Sequence, residues 1–141
     1  MIREYREADI EHILDIWLSA SIKAHSFAGS EYWQSKVSEM RDVYIPASET
    51  FVYEAGEQIA GFYCLYGDTL AAVFVSPSLQ GNGIGSALIE DAKSRRSCLQ
   101  LSVYSQNAPS ISFYKQHGFI SIGEQIDEQT GQPEFIMEHY C

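Results

Sequence analysis

Gly81, Gly83 and Gly85 alternate between an apolar run, "LAAVFVSP" (70–77), and a stretch whose apolar residues recur at helical spacing, "IGSALIEDA" (84–92). Three glycines so close together weaken any regular element, so the segment is shaped for something other than local stability. With no side chains on that side of the turn, backbone N–H groups converge at the start of a helix, where about half a positive charge resides. That arrangement suits an anion, most naturally a phosphate or pyrophosphate. A phosphate loop of the form GxxxxGK[ST] does not fit, because no Lys follows. The dinucleotide fingerprint GxGxxG fails at its third position, which is Ser86, and it belongs after a first strand rather than deep in the chain. The four histidines (His12, His25, His117, His139) lie scattered without HExxH spacing, so no metal is expected.

The elements that must position this loop follow from periodicity. Residues 2–5 read as a short strand. From Asp9 to Ala20, Ile10, Ile13, Leu14 and Trp17 share one helix face. A second helical pattern carries Trp33, Val37, Met40 and Tyr44, with Ser30 as expected N-cap and Pro46 as its end. "TFVYE" (50–54), "QIAGFYCLY" (58–66) and "TLAAVFVS" (69–76) predict an antiparallel meander. A helix over 83–94, a strand "LQLSVY" (99–104) and a helix over 108–116 follow, the last capped by Asn107 and stopped by Gly118. Strands at "FISIGEQI" (119–126) and "EFIMEHY" (134–140) flank the turn "DEQTGQP". The predicted fold is α/β in the α+β sense: a mixed, mostly antiparallel central sheet with helices on both faces. The unit 69–104 should be parallel and right-handed. With no repeat or linker, residues 1–141 are expected to form a single domain.

Composition narrows the function. Nineteen Asp and Glu against nine Lys and Arg give a net charge of −10, which disfavours nucleic acid and suits cationic partners. No apolar run approaches the ~18 residues of a membrane span, and the start "MIREYREADI" has no secretory h-region. Three widely spaced cysteines argue against a disulfide framework or a zinc site and for a reducing compartment, so the expected location is cytoplasmic.

One known pattern fits the glycine loop. "QGNGIG" (80–85) matches the [QR]-x-x-G-x-[GA] loop of the GCN5-related N-acetyltransferases, the GNAT family. "NAPSISFYKQHGF" (107–119) resembles that family's N-x-x-A-x-x-[FL]-Y-x-x-x-G-F element, with Ser110 where Ala is common. Two motifs in the right order are far more specific than either alone, and the whole chain looks like a small bacterial member.

The resemblance implies an acetyl-CoA-dependent N-acetyltransferase moving an acetyl group directly to a primary amine: a protein lysine, a peptide N-terminus or a small amine. Gly81, Asn82, Gly83, Ile84, Gly85 and Ser86 would hold the coenzyme A pyrophosphate. Val73, Phe74 and Val75 would pair with the pantetheine arm, the Val75 amide polarising the thioester carbonyl. Asn107 would contact pantetheine, and Tyr114 would bind the cofactor and act as general acid, since a phenol with pKa ~10 is protonated at neutral pH. Relatives often carry a carboxylate base on one of two splayed strands. Here the corresponding positions are Ala71, Ala72 and Ser102, leaving His25, Glu54, Tyr104 or water for that role. His25, Phe27 and Glu31, in a segment "HSFAGSEYW" that also resembles small members of the family, would face the acceptor amine. The missing carboxylate keeps open a non-catalytic acyl-CoA-binding module on the same fold. Monomer and homodimer are both compatible with the sequence.

Overall fold

The structure, a computed structural model, describes residues 1–139. Its order is β1 (Ile2–Glu4), α1 (Ile10–Ala24), a helical stretch over 30–47, β2 (Glu49–Ala55), β3 (Gln58–Tyr66), β4 (Thr69–Val75), α5 (Ile84–Arg95), β5 (Leu99–Tyr104), α6 (Ala108–Gln116), β6 (Phe119–Ile126) and β7 (Pro133–His139). The expected Tyr140 end of the last strand lies outside the described residues. The strands form one sheet in the order β1-β2-β3-β4-β5-β7-β6, antiparallel at every pairing except β4 with β5. The predicted mixed sheet is therefore present.

Strand alternation splits the core in two. Tyr63 and Leu65 of β3 join Leu88, Ile89 and Ala92 of α5 on one face. Phe62 and Cys64 join Ile13, Trp17, Trp33 and Met40 on the other. Helices thus cover both faces, as the period-2 pattern of β3 requires. Gly61 sits where α5 presses on the sheet: a Cβ there would lie 2.8 Å from the Phe74 carbonyl oxygen and 3.1 Å from Leu88 Cδ1. Only glycine lets the helix come this close.

The first helix continues past Ala20 to Ala24, so the polar break begins at His25. The second pattern is not one helix. It divides into α2 (Ser30–Ser35), α3 (Val37–Glu39), a π-helical turn (Met40–Tyr44) and α4 (Ile45–Ala47). Ser30 is the first helical residue; the cap is Gly29, at a φ of 81° that an L-residue resists. Pro46 lies inside the last turn rather than ending the run. Its ring would clash with the carbonyl four residues earlier, and the helix widens just before it, with Ile45 N–H donating to Met40.

β1, β2 and α1 are pinned by a part-buried ion cluster. Arg3 donates to Asp9 at 2.9 and 3.0 Å and to Glu54 at 3.0 and 2.8 Å. The Arg3 guanidinium, with the Arg6 N–H assisting, overcomes burial and holds the Asp9 carboxyl below its usual range. Cys64 is a buried free thiol.

Candidate active site

The decisive local feature is where the sheet opens. β4 and β5 are paired only at Thr69 with Gln100, and beyond that point they diverge. The Ser76 N–H donates to the Ala60 carbonyl, which fixes the parity of the β3–β4 ladder. In an antiparallel pair the bonded positions alternate, so Val73 and Val75 turn their backbone groups away from β3 and into the gap. Consistent with this, the Val75 carbonyl accepts from Gln80 Nε2 at 3.3 Å rather than from β3. A strand edge is thus left open inside the sheet.

At the end of β4 comes the glycine turn. Gly81 (φ 85°) and Gly83 (φ 80°) are both left-handed, with nothing within 4 Å of the position a Cβ would take. Gly83 caps the twelve-residue α5, whose first N–H groups have no intrahelical partner. Ser86 Oγ lies 3.1 Å from His117 Nε2, joining the start of α5 to the end of α6. Asn107 caps α6 as expected, its Oδ1 accepting from Ser110 N–H at 3.3 Å.

One cavity of about 1420 Å³ connects these parts, running from Gly81, Gly83 and Ser86 past Val75, Asn107 and Tyr114. Tyr114 is half-buried on it, and burial pushes its phenol up to about 12. At the far end the wall is formed by His25, Tyr32, Tyr104, Asp127, Gln129 and Glu134. Tyr32 donates to Gln129 at 3.2 Å and Tyr104 to Asp127 at 2.6 Å, closing the β6–β7 turn over the cavity. Burial works against the Asp127 charge, but bonds from Tyr104, Thr130 and the backbone prevail and keep its carboxyl below the ordinary range.

The profile of the Acetyltransferase (GNAT) domain matches residues 46–121. Over 138 residues the chain is 34% identical to the Peptidyl-lysine N-acetyltransferase YiaC of Escherichia coli K12, covering 97% of this chain and 94% of that one. The chain belongs to the GNAT acetyltransferase family. It is an acetyl-CoA-dependent N-acetyltransferase. The solution structure of apo YjaB from Escherichia coli superposes on this GNAT chain with TM-score 0.87 at 28% identity, over 99% and 96% of the two chains. The PaiA N-acetyltransferase of Thermoplasma acidophilum, solved with coenzyme A, shares the fold with TM-score 0.85 at 20% identity, over 100% and 98%.

The chain's own residues suit acetyl-CoA on two counts: an open strand edge along a cavity, and side-chain-free N–H groups at its end. Of the residues singled out from the sequence, the cavity wall brings together Val73, Phe74, Val75, Gly81, Gly83, Ile84, Gly85, Ser86, Asn107, Tyr114 and His25. Asn82 is not among them, since its side chain turns back to donate to the Leu79 carbonyl at 3.0 Å. Glu31 is exposed and off the cavity, because α2 lies with Tyr32 and Trp33 turned inward instead. Phe27 also lies off the wall and packs its ring on Tyr104, 5.0 Å between centroids. Glu54 belongs to the Arg3 cluster, not to the cavity.

His25 lines the cavity, yet it is ill-suited as a base. Burial pushes it down to about 4, and with Asn107 Oδ1 engaged at the cap, it is the Asn107 amide that donates to its Nε2, at 3.1 Å. The neutral ring then carries its proton on Nδ1, which is buried and has no hydrogen-bond partner among the described residues. Asp127 and Glu134 escaped the sequence reading. Their signal, acidic residues beside a hairpin turn, is too common to single out without knowing that the turn folds over the cavity.

Proposed function

We propose that this protein acetylates lysine side chains of peptides or proteins by direct transfer, as one domain acting in the cytoplasm. The observation that carries the reading is the acidic, aromatic end of the cavity, where Asp127 and Glu134 stand among Tyr32 and Tyr104. An alkylammonium is attracted by the carboxylates and sheathed by the rings. YiaC, by its name a peptidyl-lysine N-acetyltransferase, supports the same acceptor. With a net charge of −10, nucleic acid is not among the partners in this reading.

Acetyl-CoA supplies an acetyl group activated as a thioester. The N–H groups of residues 83–86 hold phosphate oxygens at the helix start. The Val73 and Val75 backbone groups bind the amide-bearing arm as a neighbouring strand would, and the Val75 N–H stabilises negative charge developing on the carbonyl oxygen. Asn107 orders that stretch from the cap of α6. Tyr114, protonated at neutral pH, gives its hydroxyl proton to the departing sulfur.

The test offers the enzyme acetyl-CoA with lysine peptides, the same peptides with dimethylated lysines, and small amines, and reads acetylation by mass spectrometry. Modification of the unblocked lysines supports the reading. Turnover only on N-termini or small amines overturns it.

A further inference from the structure

The strands that open the sheet carry Ala71, Ala72 and Ser102 where a carboxylate base is wanted, and the next strand over supplies one. Glu134 of β7 pairs directly with Tyr104 of β5, and Ser102 pairs with Ile136. Residues opposite one another in a ladder share a face, so Glu134 stands beside Ser102 and Tyr104 on the cavity side. Gln125 of β6 ties the group together, its Nε2 donating to Glu134 Oε1 at 2.9 Å and to Ser102 Oγ at 3.3 Å.

Three carboxylates line the cavity, Glu39, Asp127 and Glu134, and their bonding separates them: Glu39 is paired with Lys36 at 3.7 Å. Asp127 is fully engaged: Oδ2 accepts from Tyr104 at 2.6 Å and Thr130 at 2.8 Å, and Oδ1 from the Gln129 N–H at 3.2 Å. Glu134 accepts only from Gln125, which leaves Oε2 unengaged among the described residues.

We propose that Glu134 is the general base of this acetyltransferase, taking the proton of the acceptor ammonium directly or through one water, while Asp127 stays charged beside it and holds the ammonium in place. The inference rests on the amine-acetylating reading above. Burial, aided by Asp127 and opposed by the Gln125 bond, raises the Glu134 carboxyl, which strengthens it as a base. One proton passes from the ammonium nitrogen to Glu134 Oε2 and on to solvent. The freed lone pair forms the C–N bond to the acetyl carbon as the C–S bond breaks. The sulfur takes the Tyr114 proton, and the second nitrogen proton restores Tyr114.

Glu134→Gln, which keeps the Gln125 contact within reach, tests this beside wild type and Asp127→Asn. At pH 7 the Glu134→Gln rate constant kcat is expected to fall roughly 10²- to 10⁴-fold, with acetyl-CoA affinity by calorimetry held within about twofold. Its residual rate should climb about tenfold per pH unit toward the pKa of the free amine, because only amine already deprotonated reacts. Asp127→Asn should raise the amine KM and, with the charge beside Glu134 gone, move the acidic limb of the pH profile to lower pH without the tenfold-per-unit climb of Glu134→Gln. A second readout needs no turnover: with carboxyl-labelled glutamate, the carbon resonance missing from Glu134→Gln should move when n-butylammonium is added to the CoA-bound enzyme. A Glu134→Gln enzyme with wild-type kcat and pH profile, or a resonance that n-butylammonium leaves in place, overturns the assignment. A wild type that acetylates no lysine peptide strikes the acceptor reading instead, and the resonance experiment still decides Glu134.

Discussion

Asn107 Nδ2 lies 3.1 Å from His25 Nε2, so one hydrogen bond joins the loop above the cavity to the cap of α6. The pair also defines the protonation of the ring. Nε2 accepts, and Nδ1, which holds the proton, is buried without a hydrogen-bond partner among the described residues. Adding a second proton to this ring breaks the contact and buries a charge, which is why burial pushes it down to about 4.

Stability should register this. An unfolded histidine titrates near pH ~6.5, so between there and about 4 the unfolded chain binds a proton that the folded one refuses. The contribution is complete above that window and is lost as pH falls through it. On going from pH 7 to 4, wild type should lose on the order of 3 kcal/mol more than His25→Phe, which carries no titrating group there. Urea melts of both proteins at the two pH values check this, and equal losses would remove His25 from the account.

Tyr114 borders the cavity with no protein partner for its hydroxyl among the described residues. Tyr114→Phe removes one oxygen and keeps the ring packed against Phe119 and Phe113. Acetyl-CoA affinity should stay within about twofold while kcat drops roughly 10- to 10⁴-fold, the range for losing a general acid. Stopped-flow turnover beside calorimetry separates the two effects; an unchanged kcat rejects the proton-donor role.

Gly83 allows strain and charge to be told apart. Around its missing Cβ there is open space, so Gly83→Ala meets only the cost of a left-handed φ, about 1–2 kcal/mol. Gly83→Asp adds a carboxylate where the anion binds. Its acetyl-CoA dissociation constant should exceed that of Gly83→Ala by about tenfold or more at low ionic strength, the gap narrowing as salt is added. Equal affinities of the two variants would mean that the loop binds no anion.

The parts of this molecule that the sequence made legible are the parts whose signals are local. The β-branched and aromatic runs of β2 to β4, the glycine turn and the Asn107 cap are each short local signals, and each appears where the pattern put it. The helical stretch over 30–47 misleads because its apolar spacing continues through Pro46, while the backbone must widen to admit the ring. Glu31 and Tyr32 both fall in the first turn of the helix, and which of them turns inward depends on how α2 lies against the rest of the fold, which its own spacing does not give. Glu134 is the plainest case. Its importance comes from standing opposite Tyr104, a pairing thirty positions apart that no short-range rule supplies.

The single pairing between β4 and β5 leaves the sheet as two panels, β1 to β4 and β5-β7-β6, held together by one bridge and the helices above and below. A molecule seated in that seam lends the interior the hydrogen bonds a continuous sheet would have. By mass action it then adds RT ln(1 + [L]/Kd) to the folding free energy, ~2.7 kcal/mol at a hundredfold excess over Kd. Donor and product alike would then protect the fold, and the ligand-free protein should be the more readily cleaved in limited proteolysis beside the same protein saturated with coenzyme A.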